Sequence, residues 1–163
     1  MKRRVYIETT IVSYLTARPS RNLIRTVHEA LTREWWRGHR HLYDLYTSHI
    51  VLEEAGKGDA DAARRRLLAV RDVPLVAPVE SAIVLARQIL DSGILHRRAA
   101  TDALHLAIAT VHRMDVLLTW NCRHLANASI LVDVGRFLRI KGYEAPVVCT
   151  PNEMMGDPGE LRG

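Results

Sequence analysis

The chain has 163 residues, of which 48% are hydrophobic and 25% are charged. This length and composition indicate a globular protein that folds as one domain around a single hydrophobic core. No apolar stretch approaches the roughly 20 residues that a membrane-spanning helix needs, and the first ten residues lack the apolar run of a secretory signal. We therefore expect a cytoplasmic protein without membrane association.

The charge of the chain is basic. Its 23 Lys and Arg residues outnumber 18 Asp and Glu residues, which gives a formal net charge of +5, and Arg is far more frequent than Lys. Guanidinium groups bind phosphate through two hydrogen bonds and stack on unpaired bases, so this composition favours RNA or DNA as a partner. A basic surface that only keeps the protein in solution explains the same charge.

The first predicted elements are a strand and two helices. Residues 5–7 are apolar and β-favouring, which predicts a strand with Glu8 at its carboxyl end. The apolar positions after it predict a short helix that ends before Pro19. Ser20 is expected to cap a longer helix that ends at Gly38. The predicted core side of that helix consists of Leu23, Ile24, Val27, Leu31 and Trp35.

The rest of the chain continues to alternate strands and helices. The predicted elements are, in order, a strand over 42–47, a helix over 50–55, a basic helix over 59–73, a brief strand over 75–76, a helix from 78 to 93, a basic loop over 94–100, a helix containing Asp102, a strand over 116–119, a helix over 130–141 and a strand over 146–149. Such alternation implies a mostly parallel sheet covered on both faces. We predict an α/β fold, a three-layer α/β/α sandwich with about five strands, over residues 1–151, followed by a polar tail over 152–163.

Three acids lie where predicted elements begin or end. Glu8 follows the first strand, Glu54 lies on the helix after the second strand, and Asp102 lies at the start of a later helix. Ligands of open α/β sheets bind beyond the carboxyl ends of the strands, where Asn121 also falls. Carboxylate oxygens suit Mg²⁺ or Mn²⁺, which neutralises phosphate charge and lowers the pKa of a bound water. These residues therefore predict a metal site that hydrolyses phosphodiesters.

Each acid also has a structural interpretation. Glu8 and Asp102 are suited to the first turn of a helix, where an acid complements the macrodipole. Glu54 stands beside Glu53 and is also consistent with a solvated surface charge, although the two side chains must point in different directions from the helix. His105, on the helix that carries Asp102, is more typical of a hydrogen-bonded core residue than of a ligand.

Together these segments resemble the PIN-domain nuclease family, particularly the VapC-type toxins of toxin–antitoxin pairs, over residues 4–151. The segment Tyr6-Ile7-Glu8-Thr9-Thr10 is similar to the opening strand of the family and its first acid. Residues 48–54 are similar to its Ser-to-Glu helix start, which selects Glu54 over Glu53. Residues 102–107 are similar to its third acidic motif, and residues 115–121 to the strand that leads to its fourth.

The resemblance implies an endoribonuclease that uses Mg²⁺ or Mn²⁺, acts on RNA, often forms a homodimer and is inhibited by a small antitoxin. It identifies the catalytic residues as Glu8, Glu54, Asp102 and Asn121, with the three acids as metal ligands. Orientation of the carboxylates or of the water is expected from Thr9, Thr10 and Thr119, and contact with the RNA backbone from Arg97, Arg98 and Arg123. Helix capping and a solvated surface remain the plain alternatives for these supporting residues.

Two positions depart from the family pattern. The family usually has Asp where this chain has Glu8 and Asn121. Glu8 keeps a carboxylate and adds one methylene, whereas Asn121 keeps an oxygen donor and loses a charge. The second hypothesis is therefore a catalytically weakened PIN-like protein that binds nucleic acid or regulates. A third is a phosphate-ester hydrolase acting on small nucleotides.

Overall fold

The computed structural model describes residues 1–156 and confirms the α/β architecture. Four parallel strands form one sheet in the order β2-β1-β3-β4. They are β1 (Arg3–Ile7), β2 (Tyr43–Tyr46), β3 (Val116–Leu118) and β4 (Val147–Cys149). The last three residues of β1 have no exposed surface. Such a continuously apolar strand is typical of a parallel sheet that is covered on both faces.

Seven helices and three 3₁₀ turns surround this sheet in the described part of the chain. The helices are α1 (Thr9–Thr16), α2 (Leu23–Gly38), α3 (His49–Ala55), α4 (Ala60–Val70), α5 (Glu80–Asp91), α6 (Ala100–Val111) and α7 (Ala128–Ile140). The 3₁₀ turns are Arg40–Leu42, Arg97–Ala99 and Pro151–Met154. Helix α1 contacts α2, α3 and α4, and α5 packs along α6. Within residues 1–156, no helix is long and apolar enough to cross a membrane.

The predicted count of five strands is wrong by one. Residues 75–76 form an isolated parallel bridge between Leu75 and Thr47 instead of a strand. The Thr47 N–H donates to the Pro74 carbonyl at 3.0 Å, and the Val76 N–H donates to the Thr47 carbonyl at 2.9 Å. Prolines at 74 and 78 limit this segment, because proline has no N–H to give to a neighbouring strand.

The predicted cap of α2 is wrong, and its predicted core face is wrong at Leu23, Ile24 and Val27, whereas Leu31 and Trp35 pack in the core as predicted. Asn22, two residues after Ser20, caps the helix through its side-chain oxygen. The buried side of α2 is set by Trp120, whose ring stacks on His28 and whose indole N–H donates to Thr32. These contacts turn the helix so that Trp35 is buried while three predicted core residues are exposed, by 77%, 69% and 48% for Leu23, Ile24 and Val27.

The start of the predicted polar tail is ordered. Pro151 is buried, and residues 151–154 form a 3₁₀ turn that begins with a capping box. In this box the Thr150 N–H donates to Glu153 Oε2 at 2.7 Å. Residues 157–163 of the predicted tail lie outside the described part of the chain.

Several arginines hold the carboxyl ends of helices. The carboxyl end of a helix has carbonyl groups without hydrogen-bond partners and carries partial negative charge. A guanidinium group donates hydrogen bonds to these carbonyls and offsets the charge. The pairs are Arg66 with the carbonyls of Ala55 and Lys57, Arg65 with that of Thr16, Arg33 with that of Ala17, and Arg4 with that of His112. A part of the high Arg content therefore stabilises the fold.

The pair Arg66 and Arg64 on α4 tests this role. We expect Arg66→Ala to lower the free energy of unfolding by about 1–3 kcal/mol, because it removes charged hydrogen bonds to two carbonyls at the end of α3. Arg64 is exposed, and Arg64→Ala should change the free energy by no more than about 0.5 kcal/mol. Urea denaturation of both variants measures the difference. Equal losses in the two variants would contradict this account.

Candidate active site

Glu8 is a buried carboxylate at the carboxyl end of the central strand. It is 4% exposed and caps α1, with its Oε2 accepting from the Thr10 N–H at 3.1 Å. The same oxygen accepts from the hydroxyl groups of Thr10 and Thr119, the second at 2.7 Å. Three donors therefore fix Oε2, while Oε1 receives no hydrogen bond from residues 1–156.

Glu54 lies on α3 and is fixed in the same manner. Its Oε1 lies 2.7 Å from Thr9 Oγ1 and 2.6 Å from His105 Nε2. Its Oε2 has no hydrogen-bond partner in the described part of the chain. The neighbouring Glu53 is exposed, so of this pair only Glu54 joins Thr9, His105 and Glu8 among the described residues.

Asp102 lies in the first turn of α6, and Asn121 holds it. Asn121 Nδ2 donates to Asp102 Oδ1 at 3.0 Å. The Asn121 side-chain oxygen accepts from the His124 N–H at 3.1 Å. The amide oxygen that the sequence offers as a further donor to a metal ion thus has a main-chain partner in this structure.

The three carboxylates share one pattern. Each has one oxygen anchored by neighbouring donors and one oxygen that no described residue binds. Ligand atoms of Glu8, Glu54 and His105 lie within 4.8 Å of one another, and the charge of Glu8 acts on Asp102. Asp102 is not a member of this close group among residues 1–156, so Glu8 and Glu54 are the two carboxylates placed most directly for a hard divalent cation.

The environment shifts the pKa of two of these acids in opposite directions. Burial and then the charge of Glu8 raise the pKa of Asp102, although nearby histidines and Asn121 offset part of the effect. Burial would also raise the pKa of Glu54. Hydrogen bonds from His105 and Thr9, with the charges of His105 and Lys57, outweigh this burial and lower the pKa of Glu54. Of these two acids, Asp102 is therefore the one whose charge the protein compensates less.

The three candidate RNA-binding arginines lie beside the acids along the chain. Arg97 and Arg98 form the 3₁₀ turn that leads into α6, and Arg123 follows Asn121 in the turn after β3. All three are exposed. None forms an ion pair with an acid among residues 1–156. Their side chains are thus available to a phosphate at this edge of the sheet.

Sequence reasoning missed Tyr6 and Ser48 as neighbours of the site. Tyr6 OH lies 2.8 Å from His105 Nδ1 and 2.7 Å from Ser48 Oγ. The sequence identifies Tyr6 only as an apolar strand residue and Ser48 only as a helix cap. Ser48 does precede α3, yet its side chain makes no capping hydrogen bond. The spacing of His105 from Asp102 on α6 was the one local signal for this network.

A parallel α/β domain with acids at the carboxyl edge of its central strands has the architecture of a PIN domain. No family model and no curated protein matches the sequence. Solved structures do match it. One is a chain in the crystal structure of VapBC2 from Rickettsia felis bound to a DNA fragment from their promoter, with 13% identity, a TM-score of 0.51, and coverage of 90% of this chain and 98% of that chain.

A second match is a chain in the structure of VapBC-1 from nontypeable Haemophilus influenzae. It has 17% identity and a TM-score of 0.52, and the match covers 91% of this chain and 98% of that chain. At these identities the likeness shows the fold. The chain has the PIN fold of VapC-type proteins, as the sequence resemblance predicted.

The opposite pKa shifts predict opposite effects of two neutral substitutions. Because the pKa of Glu54 is lowered, its charge stabilises the fold above its unfolded pKa, and this stability is lost as the pH falls through the folded pKa. Because the pKa of Asp102 is raised, the stability that this group contributes is fully present at low pH, where it is protonated. This stability is lost as the pH rises through the folded pKa. At pH 7, Glu54→Gln should therefore destabilise the protein and Asp102→Asn should stabilise it.

We expect each difference to be about 0.5–1 kcal/mol, because both side chains are half-buried and solvent screens their charges. Urea denaturation in EDTA at pH 7 measures both values. Both differences should shrink as the pH falls below about 4, where the two acids become protonated in the unfolded chain. Effects of the same sign at pH 7 would contradict the assignment.

Proposed function

We propose that this protein is a metal-dependent endoribonuclease and the toxin of a type II toxin–antitoxin system. The observation that carries the proposal is the shared pattern of Glu8, Glu54 and Asp102. Each carboxylate is anchored through one oxygen and leaves the other without a hydrogen bond from residues 1–156. Ligand atoms of Glu8 and Glu54 lie within 4.8 Å of each other, and the charge of Glu8 raises the pKa of Asp102. Carboxylates this close repel one another without a cation, which supports a divalent metal ion as the resident cofactor.

Mg²⁺ or Mn²⁺ at this site would supply an activated water for attack on phosphorus and would offset charge on the leaving oxygen. The chain's own residues keep the ligands in place. Thr10 and Thr119 hold Glu8, Thr9 holds Glu54, and Asn121 holds Asp102. Such prior orientation supports catalysis because the ligands need not reorganise when the substrate binds.

The substrate we propose is RNA, bound through exposed arginines. Arg97, Arg98 and Arg123 lie next to the acids in the sequence and are not used by described ion pairs. Arg65 and Arg66, by contrast, are engaged at helix ends. The basic residues near the acids, and not the total charge, therefore support contact with a phosphate backbone.

The protein partner we propose is a small antitoxin. Both similar chains come from VapBC assemblies, and this supports a partner of the VapB kind for the present chain. A homodimer and a cytoplasmic location remain part of the proposal through the resemblance to VapC-type toxins.

A catalytically weakened nucleic-acid-binding protein is the second candidate. Asn121 is the observation that favours it, since it stands where the family usually has an acid. Its side-chain oxygen also accepts from the His124 N–H. Only three carboxylates would then hold the cation, with less negative charge than in the family pattern.

The adjacent acids Glu53 and Glu54 give a matched test of the nuclease. We expect Glu54→Gln to slow Mn²⁺-dependent cleavage of RNA by about 100-fold or more, because a lost metal ligand removes several kcal/mol of charge stabilisation. Glu53→Gln should leave the rate within about 2-fold, since Glu53 is exposed and outside the crevice. Gel analysis of end-labelled RNA, with EDTA as the metal-free control, measures the rates.

Equal cleavage by the two variants, or cleavage that persists in EDTA, would refute the proposed mechanism. Phosphate-ester hydrolysis that a mononucleotide inhibits by competition, and that RNA does not inhibit, would instead identify a small-nucleotide hydrolase.

Substitution of Asn121 separates the nuclease from the weakened protein. Asn121→Asp removes the N–H that holds Asp102 and adds a second negative charge at this contact. We expect the cleavage rate to change by less than about 10-fold, because Asn121 acts on Asp102 through a single hydrogen bond and its bond from the His124 N–H is one that Asp retains. The matched control is Asn127→Asp in the next turn, since Asn127 caps α7 through its side-chain oxygen, which Asp retains.

The same cleavage assay decides between the two functions. A rise from undetectable to rapid cleavage in Asn121→Asp, with no change in Asn127→Asp, would support the weakened protein and contradict the active nuclease.

A further inference from the structure

A chain of buried polar groups leads from the core to Glu54. Ser48 Oγ lies 2.7 Å from Tyr6 OH, Tyr6 OH lies 2.8 Å from His105 Nδ1, and His105 Nε2 lies 2.6 Å from Glu54 Oε1. Tyr6 and His105 have no exposed surface, and Ser48 is 3% exposed. This series of hydrogen bonds links β1, the start of α3 and α6.

The acceptor at the end of this chain fixes the direction of its protons. An ionised carboxylate only accepts hydrogen bonds, so His105 Nε2 must carry the proton. In the neutral imidazole, Nδ1 then accepts from the Tyr6 hydroxyl, and the Tyr6 oxygen accepts from the Ser48 hydroxyl. Every hydrogen bond in this arrangement is satisfied, and His105 Nε2 donates to Glu54 whether the ring is neutral or carries the charge that lowers the pKa of Glu54.

Packing alone does not require these polar groups. His105 is flanked on α6 by Leu104 and Leu106, and an apolar side chain of similar volume would fill the same space. Buried polar networks are costly to desolvate, and their replacement by apolar residues is often neutral or stabilising. The position of a polar network directly against a candidate metal ligand therefore indicates a role at the site.

We propose that His105, oriented by Tyr6, is a positioning residue that holds the Glu54 carboxylate so that Oε2 faces the metal ion. This inference rests on the proposed role of Glu54 as a metal ligand. His105 and Thr9 together occupy Oε1 from two sides. Without His105, Glu54 keeps only one anchor and turns more freely about its side-chain bonds.

Tyr6 acts through His105. Its hydroxyl gives the imidazole a second fixed point, which determines both the ring orientation and the nitrogen that carries the proton. Tyr6→Phe removes this one hydroxyl group and leaves the aromatic ring in the core. The effect of Tyr6→Phe should therefore be smaller than that of His105→Leu, and it should disappear when His105 is already replaced.

Metal binding without RNA tests the proposal. We expect His105→Leu to raise the Kd for Mn²⁺, measured by isothermal titration, by about 10–100-fold, as is usual when a partner of a metal ligand is lost. His105→Gln retains an N–H donor and should recover part of the affinity. The control is Thr110→Val, which removes another buried hydroxyl on α6, one that donates to the Leu106 carbonyl. It should leave the Kd unchanged.

Thermal unfolding shows which variants fold. If His105→Leu does not fold, the Kd of Tyr6→Phe for Mn²⁺ provides the test. An unchanged Kd in the folded His105 and Tyr6 variants overturns the proposal, as does an equal loss in Thr110→Val. If the parent protein binds Mn²⁺ but does not cleave RNA, and the His105 variants bind Mn²⁺ with a raised Kd, the positioning role is supported and the nuclease is refuted. Absence of saturable Mn²⁺ binding in the parent overturns both.

Discussion

The burial of the Glu8 carboxylate is the constraint on which the site depends. A buried carboxylate is costly unless donors surround it. The donors come from the first turn of α1 and from Thr119 after β3, and Thr10 Oγ1 in turn accepts from the Trp120 N–H at 2.8 Å. One oxygen of Glu8 thereby joins the end of the central strand, the start of the helix after it and the end of the neighbouring strand. This common attachment brings the turn that carries Asn121 to α6, where it holds Asp102.

The other two acids are placed around Glu8 at different electrostatic cost. Glu54 receives two hydrogen bonds to one oxygen, and these, together with the charges of His105 and Lys57, outweigh the burial of its charge. Among residues 1–156, Asp102 receives only the amide N–H of Asn121, and burial and the charge of Glu8 outweigh the opposing charges of His105 and His124. The protein thus stabilises the charged form of Glu54 and destabilises the charged form of Asp102. A destabilised carboxylate at the edge of a rigid sheet is typical of a site that gives up some stability for function.

Local signals were sufficient for much of the fold. Continuous apolar runs predicted β1 and β3, and the polar residues that follow these runs, Glu8 and Thr119, hydrogen-bond to each other. Three features depend on contacts distant in sequence and were not predicted. The buried side of α2 follows from stacking on Trp120, the partner of the Asn121 oxygen is a main-chain N–H, and the partners of Tyr6 come from two other elements.

The arginines show why total charge was an ambiguous predictor of nucleic-acid binding. Those with carbonyl partners at helix ends contribute to the charge count but serve the fold. Arg97 and Arg98 stand just before α6, where the positive end of the helix dipole also favours a phosphate. Asp102 lies in the same first turn and repels that phosphate. Under the proposed function, a cation held between the acids and the phosphate would reconcile this attraction and repulsion, and substrate binding would then depend on the metal ion as much as on the arginines.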